Sequence, residues 1–207
     1  MRLLPPPPNP VHSRFRREMS CPAPRTAPGT PASVDSGAAR SVVTLILKTL
    51  SRLYTHAELV EQRQQWRRDG KTVVFTNGCY DLLHPGHIRT LEAARSLGDV
   101  LVLAINSDAG TRRMKGPTRP ITPENERVEL ALALEAVDAV ILFDDETPRA
   151  LIAAVLPDVL VKGADWSHFV AGREEVEAAG GKVITLPMEP GYSTTSIENL
   201  IASGHNS

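Results

Sequence analysis

Two histidines that flank a proline and a glycine, His84-Pro85-Gly86-His87, are the residues of this chain whose types and spacing speak most directly of chemistry. Gly86 lets an anion approach the main chain, and the free N–H groups of a helix's first turn favour negative charge. Two imidazoles at such a terminus can donate to phosphate oxygens and stabilise charge that develops on them. Lys115 and Arg119, in a loop containing Gly116, Pro117 and Pro120, are candidates to reach over a polyphosphate. Lys162-Gly163 leaves an apolar run, and Ser193-Thr194-Thr195 offers three successive hydroxyls where a helix can start. A metal is the competing reading, since Asp81, His84 and His87 recur three apart and a carboxylate with two imidazoles can hold zinc. That reading leaves Lys115, Arg119 and Lys162 crowding a cation without reason. Cys79 near the histidines could be a nucleophile, but a nearby thiol is not an activated one. No GxxxxGK[ST] run is present, and the glycines around Gly78 do not form GxGxxG.

Elements that could position these residues alternate along the chain. Thr55 and Glu58 form a possible capping box for a helix that continues through Leu59 and Trp66 and ends at Gly70. Thr72–Thr76 reads as a buried strand, followed by the turn signal Asn77-Gly78 and a helix from about Pro85 or Gly86 to Gly98. Val100–Ile105 is apolar at consecutive positions, as a parallel strand covered on both faces should be. The stretch 106–121 reads as a long polar loop. Thr122-Pro123 and Thr147-Pro148 read as N-cap and first-turn proline of two further helices. Ala139–Phe143, Val159–Val161 and Val183–Leu186 complete five strands, with a helix between Gly172 and Ala179 and a last one capped by Ser193 or Thr194. This pattern predicts a Rossmann-like, doubly wound α/β layer: a parallel five-stranded sheet with helices on both faces. Ligands of such sheets bind beyond the carboxyl ends of the strands. The loops after strands one, two, four and five are the ones that carry the polar sets.

Composition narrows the function classes. Residues 1–42 hold nine of the 17 prolines and six arginines against Glu18 and Asp35 alone. So few apolar anchors predict a disordered Pro/Arg-rich tail, leaving 43–207 as the single folded domain behind a helical lead-in. That domain carries 17 basic and 22 acidic residues, the wrong balance for a nucleic-acid binder. Cys21 and Cys79 sit in unrelated contexts and suggest no disulfide. There is no run of signal-peptide or membrane-spanning length, so a cytoplasmic protein without nucleic-acid or membrane partners is expected.

The ordered set Phe75-Thr-Asn-Gly-Cys-Tyr-Asp-Leu-Leu-His-Pro-Gly-His87, Asn106-Ser-Asp108, Lys115-Gly-Pro-Thr-Arg-Pro120, Lys162-Gly-Ala-Asp165 and Gly191-Tyr-Ser-Thr-Thr195 resembles the HxGH nucleotidyltransferase superfamily. Within it, the chain is most similar to the adenylyltransferases of ADP-heptose synthesis, over roughly residues 50–203. The resemblance implies that ATP, with Mg²⁺, reacts with D-glycero-β-D-manno-heptose 1-phosphate to give ADP-heptose and pyrophosphate for the lipopolysaccharide core. It implies His84, His87 and Lys115 as catalytic residues. It places Phe75, Asn77, Gly78, Gly86, Arg119, Lys162, Gly163, Ser193, Thr194 and Thr195 at the nucleotide, and Asp81, Asn106 and Asp108 at the sugar phosphate. No metal ligand is assigned. Relatives are commonly homodimers. Many are fused to a sugar kinase; 207 residues leave no room for one, so a separate kinase and phosphatase are expected. Two departures stand out: Tyr80 replaces a frequent Phe, and Met188-Glu-Pro190 precedes Gly191 where cytidylyltransferase relatives begin with Arg. A cytidylyltransferase for glycerol phosphate and a catalytically silent nucleotide-binding scaffold are the alternatives.

Overall fold

The computed structural model describes residues 52–163, 170–187 and 191–204. The tail 1–42, the start of the lead-in, Asp165 and Met188-Glu-Pro190 lie outside the described residues. In chain order the first elements are β1 (Leu53–Tyr54), α1 (His56–Arg68), β2 (Val73–Gly78), α2 (Pro85–Arg95), β3 (Val100–Asn106), α3 (Asp108–Lys115) and α4 (Glu124–Ala133). β4 (Ala139–Phe143), α5 (Arg149–Val155), β5 (Val159–Gly163), α6 (Arg173–Ala178), β6 (Lys182–Leu186) and α7 (Thr194–Ala202) follow.

The strands form one parallel sheet in the order β1-β4-β3-β2-β5-β6. Every residue of β3 is buried, which is why its sequence does not alternate. The pleat sends neighbouring side chains to two separate cores. Val74, Leu101, Leu103, Ile105 and Val140 pack with Leu91 and Ala94 of α2 and Val128, Ala131 and Leu132 of α4. Val73, Phe75, Val102, Ala104 and Ile141 pack on the other face with Leu59 and Trp66 of α1, Leu151 and Ile152 of α5 and Val176 of α6. The expected fold class is therefore present.

Three sequence expectations change in detail. The sheet has six strands rather than five. β1 is too short for any periodicity to announce it, and is held by its neighbours: Val140 donates to the Arg52 carbonyl (2.9 Å), and the Arg52 guanidinium donates to the carbonyls of Asp138 and Leu132. The stretch 106–121 is not all loop, since α3 occupies Asp108–Lys115. Ser107 caps it by accepting from Gly110 N (2.9 Å). Its exposed face is so polar, and its buried residues so few (Gly110 and Thr111), that no apolar stripe reveals it. Finally, Pro123 and Pro148 are the N-cap residues of α4 and α5, one position before the expected register. The capping box of Thr55 and Glu58 forms as read.

Candidate active site

The chain runs outward from β2 through β3 to β4, then returns to place β5 on the other side of β2. That reversal opens a crevice at the carboxyl end of the sheet. A cavity of about 1090 Å³ occupies it. Of the residues singled out from sequence, Asn77, Gly78, Asp81, His84, Gly86, His87, Asn106, Lys115, Lys162, Gly163, Ser193, Thr194 and Thr195 line it. Four loops distant in sequence thus meet in one place.

His84 is the N-cap of α2 and Pro85 its first residue. Pro85 has no N–H to leave unsatisfied, and its fixed φ suits the first turn. The rings of His84 and His87 stack, with centroids 3.8 Å apart and planes 18° from parallel. Their Nδ1 atoms and Asn77 Oδ1 are buried without a hydrogen-bond partner among the described residues, a state that calls for a polar ligand. Burial pushes the His87 imidazole down to about 4, assisted by His84 and Lys115 nearby, and burial also lowers His84. Both rings are neutral near pH 7. Tyr80 packs on His87 at 5.1 Å, and its left-handed φ of 49° turns its ring back over Gly78. A Cβ at Gly78 would meet Tyr80 Cε2 at 3.0 Å. At Gly86 it would meet Tyr192 Cβ at 3.0 Å and His84 Nδ1 at 3.1 Å, so this glycine makes room for the neighbouring side chains.

Three expected ligand residues stand behind the wall instead. Phe75 is fully buried in the core under the cavity. Arg119 donates to Asp81 Oδ2 (2.8 Å) and pairs with Glu198 of α7. Asp108 accepts from Arg127 Nη2 (2.8 Å). Asp81 reaches the cavity lining, yet its other oxygen accepts from Ile121 N and Thr122 N, both at 2.8 Å. Arg119 is thus committed to protein carboxylates in this structure, and Lys115 and Lys162 are the expected cations that line the cavity.

A family model described as cytidylyltransferase-like matches residues 75–199, which span every one of these lining residues. The chain belongs to the cytidylyltransferase-like family. The bifunctional protein HldE of Pectobacterium atrosepticum is 51% identical over 148 residues, covering 71% of this chain and 31% of that protein. The bifunctional protein HldE of Koribacter versatilis is 51% identical over 156 residues, covering 75% and 32%. The chain therefore spans about a third of the length of these relatives. A solved structure described as the lipopolysaccharide core biosynthesis protein from Thermoplasma volcanium is 31% identical and covers 58% of this chain and 98% of that one, with a TM-score of 0.49.

As a cytidylyltransferase-like nucleotidyltransferase, the chain has a positioning residue that sequence reading passed over. Arg127 of α4 is 1% exposed and donates to the carbonyls of Cys79 (2.6 Å), Asn106 (2.8 Å) and Thr122 (2.9 Å) as well as to Asp108. One guanidinium fixes the loop after β2, the end of β3, the start of α3 and the approach to α4. The available signal was an arginine directly beside Val128 on a helix with an apolar face, which reads as an ordinary surface position. Among the described residues no group of three His, Cys, Asp or Glu side chains is disposed to hold a metal ion. Asp81 of the zinc alternative is instead engaged by Arg119 and two main-chain N–H groups. No helix among the described residues is long and apolar enough to cross a membrane.

Proposed function

We propose that the chain transfers the adenylyl group of ATP to D-glycero-β-D-manno-heptose 1-phosphate, giving ADP-D-glycero-β-D-manno-heptose and pyrophosphate. The carrying observation is the stacked pair His84 and His87, with unpaired ring nitrogens at the start of α2, in a cavity that Lys115 and Lys162 also line. The acceptor rests on the resemblance of the ordered motifs, and the 51% identity to two HldE proteins supports it.

The reaction is an in-line attack of the sugar phosphate oxygen on the α-phosphorus, with pyrophosphate leaving. The nucleophile is already ionised near neutral pH, so alignment and charge stabilisation carry the catalysis. His84 and His87 donate to α-phosphate oxygens. Lys115 follows the charge onto the leaving group. Asn77, Gly78, Gly86, Lys162, Gly163, Ser193, Thr194 and Thr195 hold the nucleotide, and Asn106 faces the acceptor. Phe75, Arg119 and Asp108 support this wall from behind, and Asp81 ties it to Arg119. Mg²⁺ enters as part of the MgATP substrate, with no protein ligand assigned to it. A cytoplasmic homodimer, supplied with heptose 1-phosphate by a kinase and a phosphatase, belongs to the same reading.

The test is pyrophosphate release from ATP and from CTP over a panel of phosphorylated acceptors that includes both heptose 1-phosphate anomers. ATP with the β anomer is the expected best pair. His87→Ala is expected to lower kcat by roughly 10²–10³-fold, as loss of one preorganised donor does, with the fold retained. Near-full transfer by that variant overturns the assignment.

A further inference from the structure

Tyr192, at the mouth of the cavity, packs in neither core. It is 36% exposed, lines the cavity and immediately precedes Ser193, the N-cap of α7. Its ring lies near-parallel to that of His84, with centroids 6.3 Å apart and planes at 20°. The Arg89 guanidinium stands over the same ring, 5.3 Å from its centroid. Both separations fall where rings attract one another and where a cation is drawn to an aromatic face. With the His84–His87 stack and the Tyr80–His87 contact, these side chains make one unbroken series: Arg89, Tyr192, His84, His87, Tyr80. The inner end of the series is anchored, because Tyr80 is buried in the core under α2. The Tyr192 contribution comes from a segment far along the chain.

Both partners of Tyr192 in this series depend on it. The His84 side chain makes no hydrogen bond that caps α2, and its Nδ1 is unpaired among the described residues. The plane of an imidazole held in this way is set by the rings beside it. α7, for its part, has little to hold it. No described residue of Gly191–Gly204 is buried, and segments with so little buried surface open easily. Glu198, paired with Arg119, ties the middle of the helix to the body of the protein, and Tyr192 ties its start. Gly191, at φ 84°, takes the left-handed turn that brings Tyr192 onto the first turn of α2. There the two segments meet so closely that a Cβ on Gly86 would stand 3.0 Å from Tyr192 Cβ.

We infer that Tyr192 is a positioning residue: packed on His84 and held by Arg89, it sets the plane of the His84 imidazole and latches the start of α7 onto the histidine pair. This rests on the adenylyl-transfer reading for what the histidines act on, and on the contacts alone for the latch. Tyr192 touches no reacting atom in this scheme and acts through His84. Ser193, Thr194 and Thr195 follow it directly, so one side chain brings the hydroxyls of α7 and the imidazoles of α2 into register. A phosphate chain gripped by the hydroxyls is then presented to the rings at a fixed angle.

Two variants of the full chain test this, each at an exposed position outside both cores. Tyr192→Phe keeps the ring. Tyr192→Leu keeps an apolar residue before the helix cap, as helix entry favours, but removes the flat face. Pyrophosphate release from ATP and heptose 1-phosphate gives kcat and KM, and hydrogen exchange followed by mass spectrometry gives the opening of α7. Tyr192→Leu is expected to lower kcat about tenfold or more, since small misplacements of catalytic groups are costly, and to change the KM for ATP by a smaller factor. It should also speed exchange of the Thr194–Ala202 amides severalfold, with those of β3 as in the parent. Tyr192→Phe is expected to keep parental kcat and parental exchange. Parental kcat or parental α7 exchange in Tyr192→Leu overturns the inference. So does a rise in KM with kcat intact, which would make Tyr192 a plain nucleotide contact, and so does an equal loss in Tyr192→Phe. Should the parent release no pyrophosphate from ATP and heptose 1-phosphate, only the adenylyl-transfer reading fails. The exchange of α7 in the leucine and phenylalanine variants then decides the latch by itself.

Discussion

The imidazole of His84 lies face to face with that of His87, 3.8 Å between centroids, so a proton on one ring is felt at once by the other. His87 titrates at about 4 in the folded chain, against an ordinary histidine value of 6.5. Between those values the unfolded chain binds a proton that the native ring refuses, so acid favours unfolding. The contribution is complete above about pH 6.5 and is lost as the pH falls toward 4. Unfolding midpoints measured from pH 7 to pH 4 are expected to decline, and less steeply in His87→Gln. NMR titration of the histidine ring protons should place His87 lowest.

Gly86→Ala tests the space around the pair. Its Cβ would press on Tyr192 Cβ and on the His84 ring at 3.0–3.2 Å, so the imidazole must shift by a few tenths of an ångström or more. We expect kcat to fall by about tenfold or more, because small misplacements of catalytic groups are costly, with little change in unfolding midpoint. Parental kcat would show that the rings tolerate displacement.

Asp81 and Arg119 form a pair in which the carboxylate is 1% exposed and the guanidinium 15%. Removing the cation alone leaves a buried charge, and Arg119→Ala is expected to cost about 3–5 kcal/mol. Neutralising both, in Asp81→Asn with Arg119→Met, should recover part of that loss. Denaturant unfolding of the single and double variants measures the coupling. Additive losses would show that the pair contributes no interaction of its own.

Arg127 is the other buried cation with an assigned role. Lysine keeps the charge but cannot reach three carbonyls and Asp108 with one ammonium. Arg127→Lys is expected to lose about 2 kcal/mol through unsatisfied buried carbonyls, and to lower kcat more than it raises KM for ATP. Circular dichroism melts and steady-state kinetics together separate this from a purely structural part, which would leave kcat intact at temperatures where the variant is folded.

What was readable from the sequence depended on how far each feature's cause extends along the chain. Val100–Ile105 and the capping box at Thr55 announce themselves, since burial on both faces and a local hydrogen-bond exchange leave their marks within a few residues. The convergence of Asn77, His84, His87, Lys115, Lys162 and Ser193–Thr195 was inferable from the strand-end rule. The partners of Arg119 and Arg127 were not. Both arginines are fixed by groups brought together by the sheet, Asp81 lying 38 residues before Arg119 and the Cys79 carbonyl 48 before Arg127. A basic residue in a phosphate-site motif reads the same whether it faces a ligand or a carboxylate behind the wall. α3 escaped because a polar helix with so few buried residues has the composition of a loop.

The pairing of β2 with β5 joins Val74 to Val159 and Phe75 to Leu160, across some eighty-five intervening residues that contain β3 and β4. Contacts so remote in sequence close late when a chain folds, because the loop entropy must be met before they form. The crevice exists only once that closure is made. During refolding, recovery of nucleotide binding should therefore trail the return of helical signal, making ligand capture a reporter of the final step of assembly.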